Sequence, residues 1–192
     1  LIPGAKSAVY DLAYFLPAPV LAMLSGRIDE LGRAFRIAGN NLRIADSVCK
    51  TENVKILIDS SKVFKFGRLY NLIRPNGIKT IFLVRDGRGT CYSRKKSGAN
   101  FNAAVSGWIV GQLKFLFLRL TLSSSRKTTI FYEKLCEDPD RELRKIFRFI
   151  GIDPEAGCTG LNKDNRHNVC GNPMRFDRNS TEIRLDDGWK NG

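Results

Sequence analysis

An arginine at position 85 follows directly on the apolar run Lys-Thr-Ile-Phe-Leu-Val of residues 79–84, and Ser93 stands eight positions later. A guanidinium can clamp a phosphate in bidentate fashion. A hydroxyl about two helical turns on could donate to the same anion. Gly87 and Gly89, between the two, permit close backbone approach. Arg85, Arg88, Arg94, Lys95 and Lys96 offset a single Asp86. The segment therefore reads in two ways: an anion site, or a solvated basic face with an Arg85–Asp86 turn contact.

Other chemically capable residues are scattered along the chain. Asp59-Ser60-Ser61-Lys62 closes a short apolar run. Asp59 suits a base or a group orienting a hydroxyl, and Lys62 suits neutralising a developing negative charge. The same residues equally suit a helix N-cap and an ordinary first turn. Tyr132 could stack on a base or form a partly buried core edge. His167 is the only histidine, which excludes a multi-histidine metal site. It fits a general base or a structural tie. Arg175 follows the turn Gly171-Asn172-Pro173-Met174, which could aim its guanidinium at a phosphate. The five cysteines show no CxxC spacing, which argues against a zinc or redox motif. Cys158 and Cys170 could bridge in an oxidising compartment.

The elements that position these residues alternate. Pro17 and Pro19 interrupt an opening helical segment. Leu31, Phe35, Ala38, Leu42 and Ala45 then recur at helical spacing. Lys55–Ile58 reads as a short strand, 62–74 as a helix ended by Pro75-Asn76-Gly77. Residues 79–84 read as a parallel strand buried on both faces, and a helix is expected from about Thr90. Phe101–Leu122 reads as a long amphipathic helix with Val105, Trp108, Leu113, Leu116 and Leu120 along one face. A strand over 128–132 and a helix over 139–150, closed by Gly151, follow. Two β-α-β steps predict a parallel sheet with helices on both faces. A ligand is then expected beyond the strand ends at Asp59, Arg85 and Tyr132.

Composition narrows the partner. The 192 residues contain 43% hydrophobic side chains, enough for a real core. Nearly all of the net charge of +13 falls between Lys55 and Leu161. Such a focused field favours an anionic partner: nucleic acid, a membrane surface or a phosphorylated nucleotide. Lys114 and Arg119 interrupt the most apolar stretch, so it reads as a soluble helix rather than a span. The Asn179-Ser180-Thr181 sequon bears on a secretory lumen only.

Phe82-Leu83-Val84-Arg85-Asp86-Gly87-Arg88 followed by Ser93 resembles the 3′-phosphate motif of the sulfotransferases that use 3′-phosphoadenosine 5′-phosphosulfate (PAPS). The family form has proline where Gly87 stands. Ile58-Asp59-Ser60-Ser61-Lys62 is similar to the strand end of bacterial-type and carbohydrate-type members. Phe131-Tyr132-Glu133-Lys134-Leu135, Asp138-Pro139 and Phe149-Ile150-Gly151-Ile152 resemble a later block, and His167, Gly171–Phe176 and Asp187–Trp189 resemble the tail.

The resemblance implies that Arg85 and Ser93 hold the 3′-phosphate, that Tyr132 lies near the adenine, and that Arg175 adds a late phosphate contact. Asp59, or a carboxylate outside the chain, would be the base, and Lys62 a donor. The fold implied is α/β, a P-loop-like three-layer fold with a parallel sheet. Its first strand and 5′-phosphosulfate loop are expected to be missing here, since Pro3-Gly4-Ala5-Lys6-Ser7 is a poor match. The chain is thus expected to be one incomplete domain over 1–192, with a helical segment at 1–54, an α/β core at 55–153 and an irregular tail at 154–192. The implied activity is sulfuryl transfer to a hydroxyl or amine acceptor, carbohydrate among the candidates, without a metal, without nucleic acid and without a membrane anchor in this chain. A chain of this form is expected to be inactive alone. Rival readings are a P-loop kinase-like transferase and a non-enzymatic basic module binding nucleic acid or a sulfated polymer.

Overall fold

Helix boundaries in the computed structural model, which describes residues 15–61, 63–153 and 185–191, follow from local chemistry. Helix α1 (Ala18–Ser25) has Pro17 at its N-cap and Pro19 in its first turn, where a fixed φ and a missing N–H do no harm. Helix α2 (Asp29–Thr51) carries Asp29 and Glu30 in its first turn and Lys50 in its last, matching the helix dipole. Helix α3 is Phe64–Ile73.

The chain divides into two compact units. The first comprises Leu1–Thr80 and Leu113–Arg126. Its core gathers Leu21, Leu31, Ala38 and Leu69, with Phe35, Phe64 and Tyr70 packed against them. Leu31, Ala38 and Leu42 are buried, as the helical period predicts. Arg74, at the end of α3, grips Asp46 of α2 with both terminal nitrogens at 2.7 Å. Arg68 is buried, its guanidinium 5.0 Å from the Phe117 ring centroid and bonded to the Leu16 carbonyl.

The second unit comprises Ile81–Gln112 and Lys127–Gly192. Strand β1 (Thr80–Val84) leads through α4 (Gly87–Lys96) and α5 (Phe101–Thr121) to strand β2 (Lys127–Phe131). The two strands pair in parallel, and the intervening helices make the crossover that parallel pairing requires. Helices α6 (Tyr132–Glu137) and α7 (Pro139–Ile150) pack on each other and on β2. Asp138 caps α7 by accepting from the Arg141 N–H at 3.0 Å. Gly151 closes it at φ 85°, in the left-handed region expected of that glycine.

Several expectations change. Lys55–Ile58 is not a strand: residues 51–61 are exposed throughout, and Ile58 is 78% exposed. Among the described residues the sheet has two strands only, so this run has no ladder partner for its amides and carbonyls. One β-α-β step is therefore seen where two were expected. Strand β1 is not buried on both faces: Phe82 is buried, while Ile81 and Leu83 are exposed. Helix α4 starts at Gly87, three residues earlier than expected, because Asp86 caps it.

Helix α5 buries Ala104 and Leu118, whereas Leu113, Leu116 and Leu120 of the expected face are exposed. The helix is apolar nearly all round, so periodicity could not choose its face. By length and composition it could cross a membrane, a measure that a soluble core helix also meets.

Leu69 is fully buried in the first unit's core. Leu69→Ala should destabilise the protein by about 2–5 kcal/mol, read as a lower urea midpoint. Ile44→Ala, at an exposed helix position, should stay within about 0.5 kcal/mol.

Candidate anion-binding site

β1 ends at Val84, and Arg85 and Asp86 carry the chain into α4. Asp86 is the N-cap residue, its Oδ1 accepting from the Arg88 N–H at 2.8 Å. The Arg88 side chain returns to the same carboxylate, Nε to Oδ1 at 3.1 Å and Nη2 to Oδ2 at 2.8 Å. These side-chain and backbone bonds hold the Asp86 carboxyl down at about 2. The Asp86 N–H in turn donates to Glu133 Oε1 at 2.9 Å, joining the end of β1 to the first turn of α6. Asp86 therefore pairs with Arg88, and the Arg85–Asp86 turn contact expected of a solvated basic face is not the one formed.

Arg85 has different neighbours. Its guanidinium lies over the Tyr132 ring, 4.7 Å from the centroid. Its Nη2 donates to the backbone oxygen and to Oδ2 of Asp186, both at 2.9 Å. Tyr132 accepts a bond from the Asp186 N–H at 3.0 Å. Burial pushes the Tyr132 phenol above its ordinary value, and the Asp186 bond works in the opposite direction. Burial likewise raises the Cys136 thiol.

Glycines shape the turn. A Cβ at Gly89 would stand 3.1 Å from Cδ1 and Nε1 of Trp189 and 3.3 Å from Arg85 Nε. Gly89 thus brings the α4 backbone against both side chains. Ser93 is half-buried one turn further along α4, and residues four apart are neighbours on a helix surface. The Arg88 guanidinium lies 4.2 Å from the Trp189 ring centroid. At Gly87 a Cβ would come within 2.6 Å of Trp108 Cζ2. The ring occupies the space that any side chain at 87 would need.

The structure thus brings Arg85 and Tyr132 together and sets Ser93 on the helix that Arg85 leads into. Asp59 belongs to the other unit, where it is exposed and its Oδ1 accepts from the Ser61 N–H at 2.8 Å. That is a local Asx turn. It does not cap α3, whose N-cap is Val63 with no side-chain bond. Lys62, His167, Arg175, Cys158, Cys170 and the sequon at Asn179 lie outside the described residues. Among the described residues no cluster of His, Cys, Asp or Glu could hold a metal ion.

Sequence reasoning missed Asp186, Glu133 and Trp108 as parts of this region. Arg85 and Asp186 are 101 positions apart, and no local period reports such a contact. The tail pattern around Trp189 was legible as a pattern, though not as a partner for Arg88.

The sequence profile of the sulfotransferase family matches residues 43–156, more than half of the chain. The match takes in β1, the Arg85 turn, α4, α5, β2 and α6, while Asp186 and Trp189 lie beyond it. The chain belongs to the sulfotransferase family and is a sulfotransferase-type protein. No curated protein and no solved structure matches it.

Two predictions follow from the turn. Gly87→Ala should destabilise by about 1–3 kcal/mol through overpacking against Trp108, seen as a lower Tm. Asp86 has a depressed carboxyl, so its stabilising contribution is present above the ordinary value of 3.8 and is lost as pH falls through about 2. The Arg88 side chain is 72% exposed and that of Asp86 30%, so solvent screens the pair and the effect on stability should be small. The Tm difference between the protein and Asp86→Asn should be constant above about pH 5 and narrow through this window.

Proposed function

We propose that these residues form the 3′-phosphate-binding part of a PAPS-dependent sulfotransferase of the bacterial and carbohydrate type. The observation that carries the reading is Arg85. At the end of a parallel strand its guanidinium rests on an aromatic ring and already grips a carboxylate at 2.9 Å. A guanidinium that binds one oxyanion in that position suits another of similar size.

In this reading Arg85 and Ser93 bind the ribose 3′-phosphate, and Tyr132 borders the adenine. Arg175 adds a further phosphate contact. PAPS is a substrate, the sulfuryl donor. The acceptor oxygen or nitrogen attacks sulfur, and the bond from sulfur to the bridging oxygen breaks. Its electron pair leaves on 3′,5′-ADP, and the acceptor's proton passes to a base. Asp59 is the candidate base and Lys62 the candidate donor to the bridging oxygen. Such a reaction needs alignment of its two ends and compensation of charge, and calls for no metal.

The fold that goes with this reading is a P-loop-like three-layer α/β domain, of which 1–192 supplies part. It also requires a Gly-rich basic loop to cradle the 5′-phosphosulfate. No stretch of the 192 residues resembles that loop well, so transfer by these residues alone should be negligible. A carbohydrate hydroxyl is one candidate acceptor.

Arg85→Ala should weaken 3′,5′-ADP binding by about 10- to 100-fold, since a hydrogen bond to a charged group contributes about 1.5–3 kcal/mol. Binding of 5′-AMP, which lacks the 3′-phosphate, should change far less. Calorimetric titration of both ligands reads the difference, and equal losses would overturn the assignment.

A further inference from the structure

The Arg85 guanidinium is engaged by the chain's own tail. Asp186 presents two oxygens to Arg85 Nη2, one from its backbone and one from its carboxylate. The segment carrying it is fixed at two further points. The Asp186 N–H donates to the Tyr132 hydroxyl, and the Trp189 ring lies under the Arg88 guanidinium and against Gly89. Asp186 thus touches both side chains that the proposed function assigns to the nucleotide, Arg85 and Tyr132.

A carboxylate and a phosphate compete for the same donors of a guanidinium. We propose that Asp186 is an internal stand-in for the 3′-phosphate, which must displace its carboxylate from Arg85 in order to bind. This rests on the reading of Arg85 given above. The carboxylate satisfies Arg85 while no nucleotide is bound. It also lowers apparent affinity by the fraction of molecules in which Arg85 is so engaged. The side chain of Arg85 is 25% exposed and that of Asp186 52%, so the ion pair is strong enough to form and weak enough to exchange. Arg88 cannot relieve it, being committed to Asp86 and Trp189.

Asp187 supplies an internal control. It carries the same charge one position on, but its carboxylate faces Lys190 at 3.5 Å. Asp186→Asn should tighten 3′,5′-ADP binding about 1.5- to fivefold, the range for competition with a partly exposed ion pair. It should leave 5′-AMP unchanged. Asp187→Asn should change neither ligand appreciably. Equal tightening by both variants would mean a general charge effect and would overturn the proposal.

Arg85→Ala, measured alongside, separates the two levels. If that variant loses 3′,5′-ADP selectively while Asp186→Asn gains nothing, the competition is wrong and the phosphate site stands. If no variant distinguishes 3′,5′-ADP from 5′-AMP, or the ligand fails to bind at all, both readings fall.

Discussion

A planar cation held at the mouth of a parallel strand is the constraint on which this region depends. Arg85 lies on the Tyr132 ring, and Tyr132 opens the helix that follows the neighbouring strand. The guanidinium therefore has a fixed place only while β1 and β2 pair in register. The bond from the Asp86 N–H to Glu133 secures the same junction through the backbone. Two adjacent residues at the start of α6, Tyr132 and Glu133, thus support two adjacent residues after β1.

Arginines close together in sequence take separate duties here. Arg88 completes a helix cap and covers an indole. Arg85 keeps its terminal nitrogen directed at an oxyanion. The division comes from Asp86, whose carboxylate faces the first turn of α4 and so attracts the side chain inside that turn. An acid at the cap removes one competitor and leaves the strand-end arginine for a distant partner.

Much of this was legible in the residues. The apolar run 79–84 and the Asp138-Pro139 start of α7 are local signals, and these survive into the structure. The short run at 55–58 failed because strand formation is not local: its apolar residues lack a neighbour in the two-stranded sheet. The face of α5 was missed because leucines surround the helix, and only packing decides which are covered. The place of Arg85 directly after a strand was readable from the apolar run before it, whereas its contact with Asp186 was not. That contact depends on chain return across a hundred residues, which charge patterning does not encode. Asp59 is exposed, its carboxylate accepting from the Ser61 N–H two residues on.

The indole of Trp108 and the bare backbone at Gly87 form a matched pair. Neither position is free to drift by itself. A relative with proline at position 87 would need a smaller or differently angled group at position 108, and one keeping tryptophan there could not regain the ring at 87. The two sites should accordingly covary through evolutionary time, twenty-one positions apart, as a record of one steric exclusion.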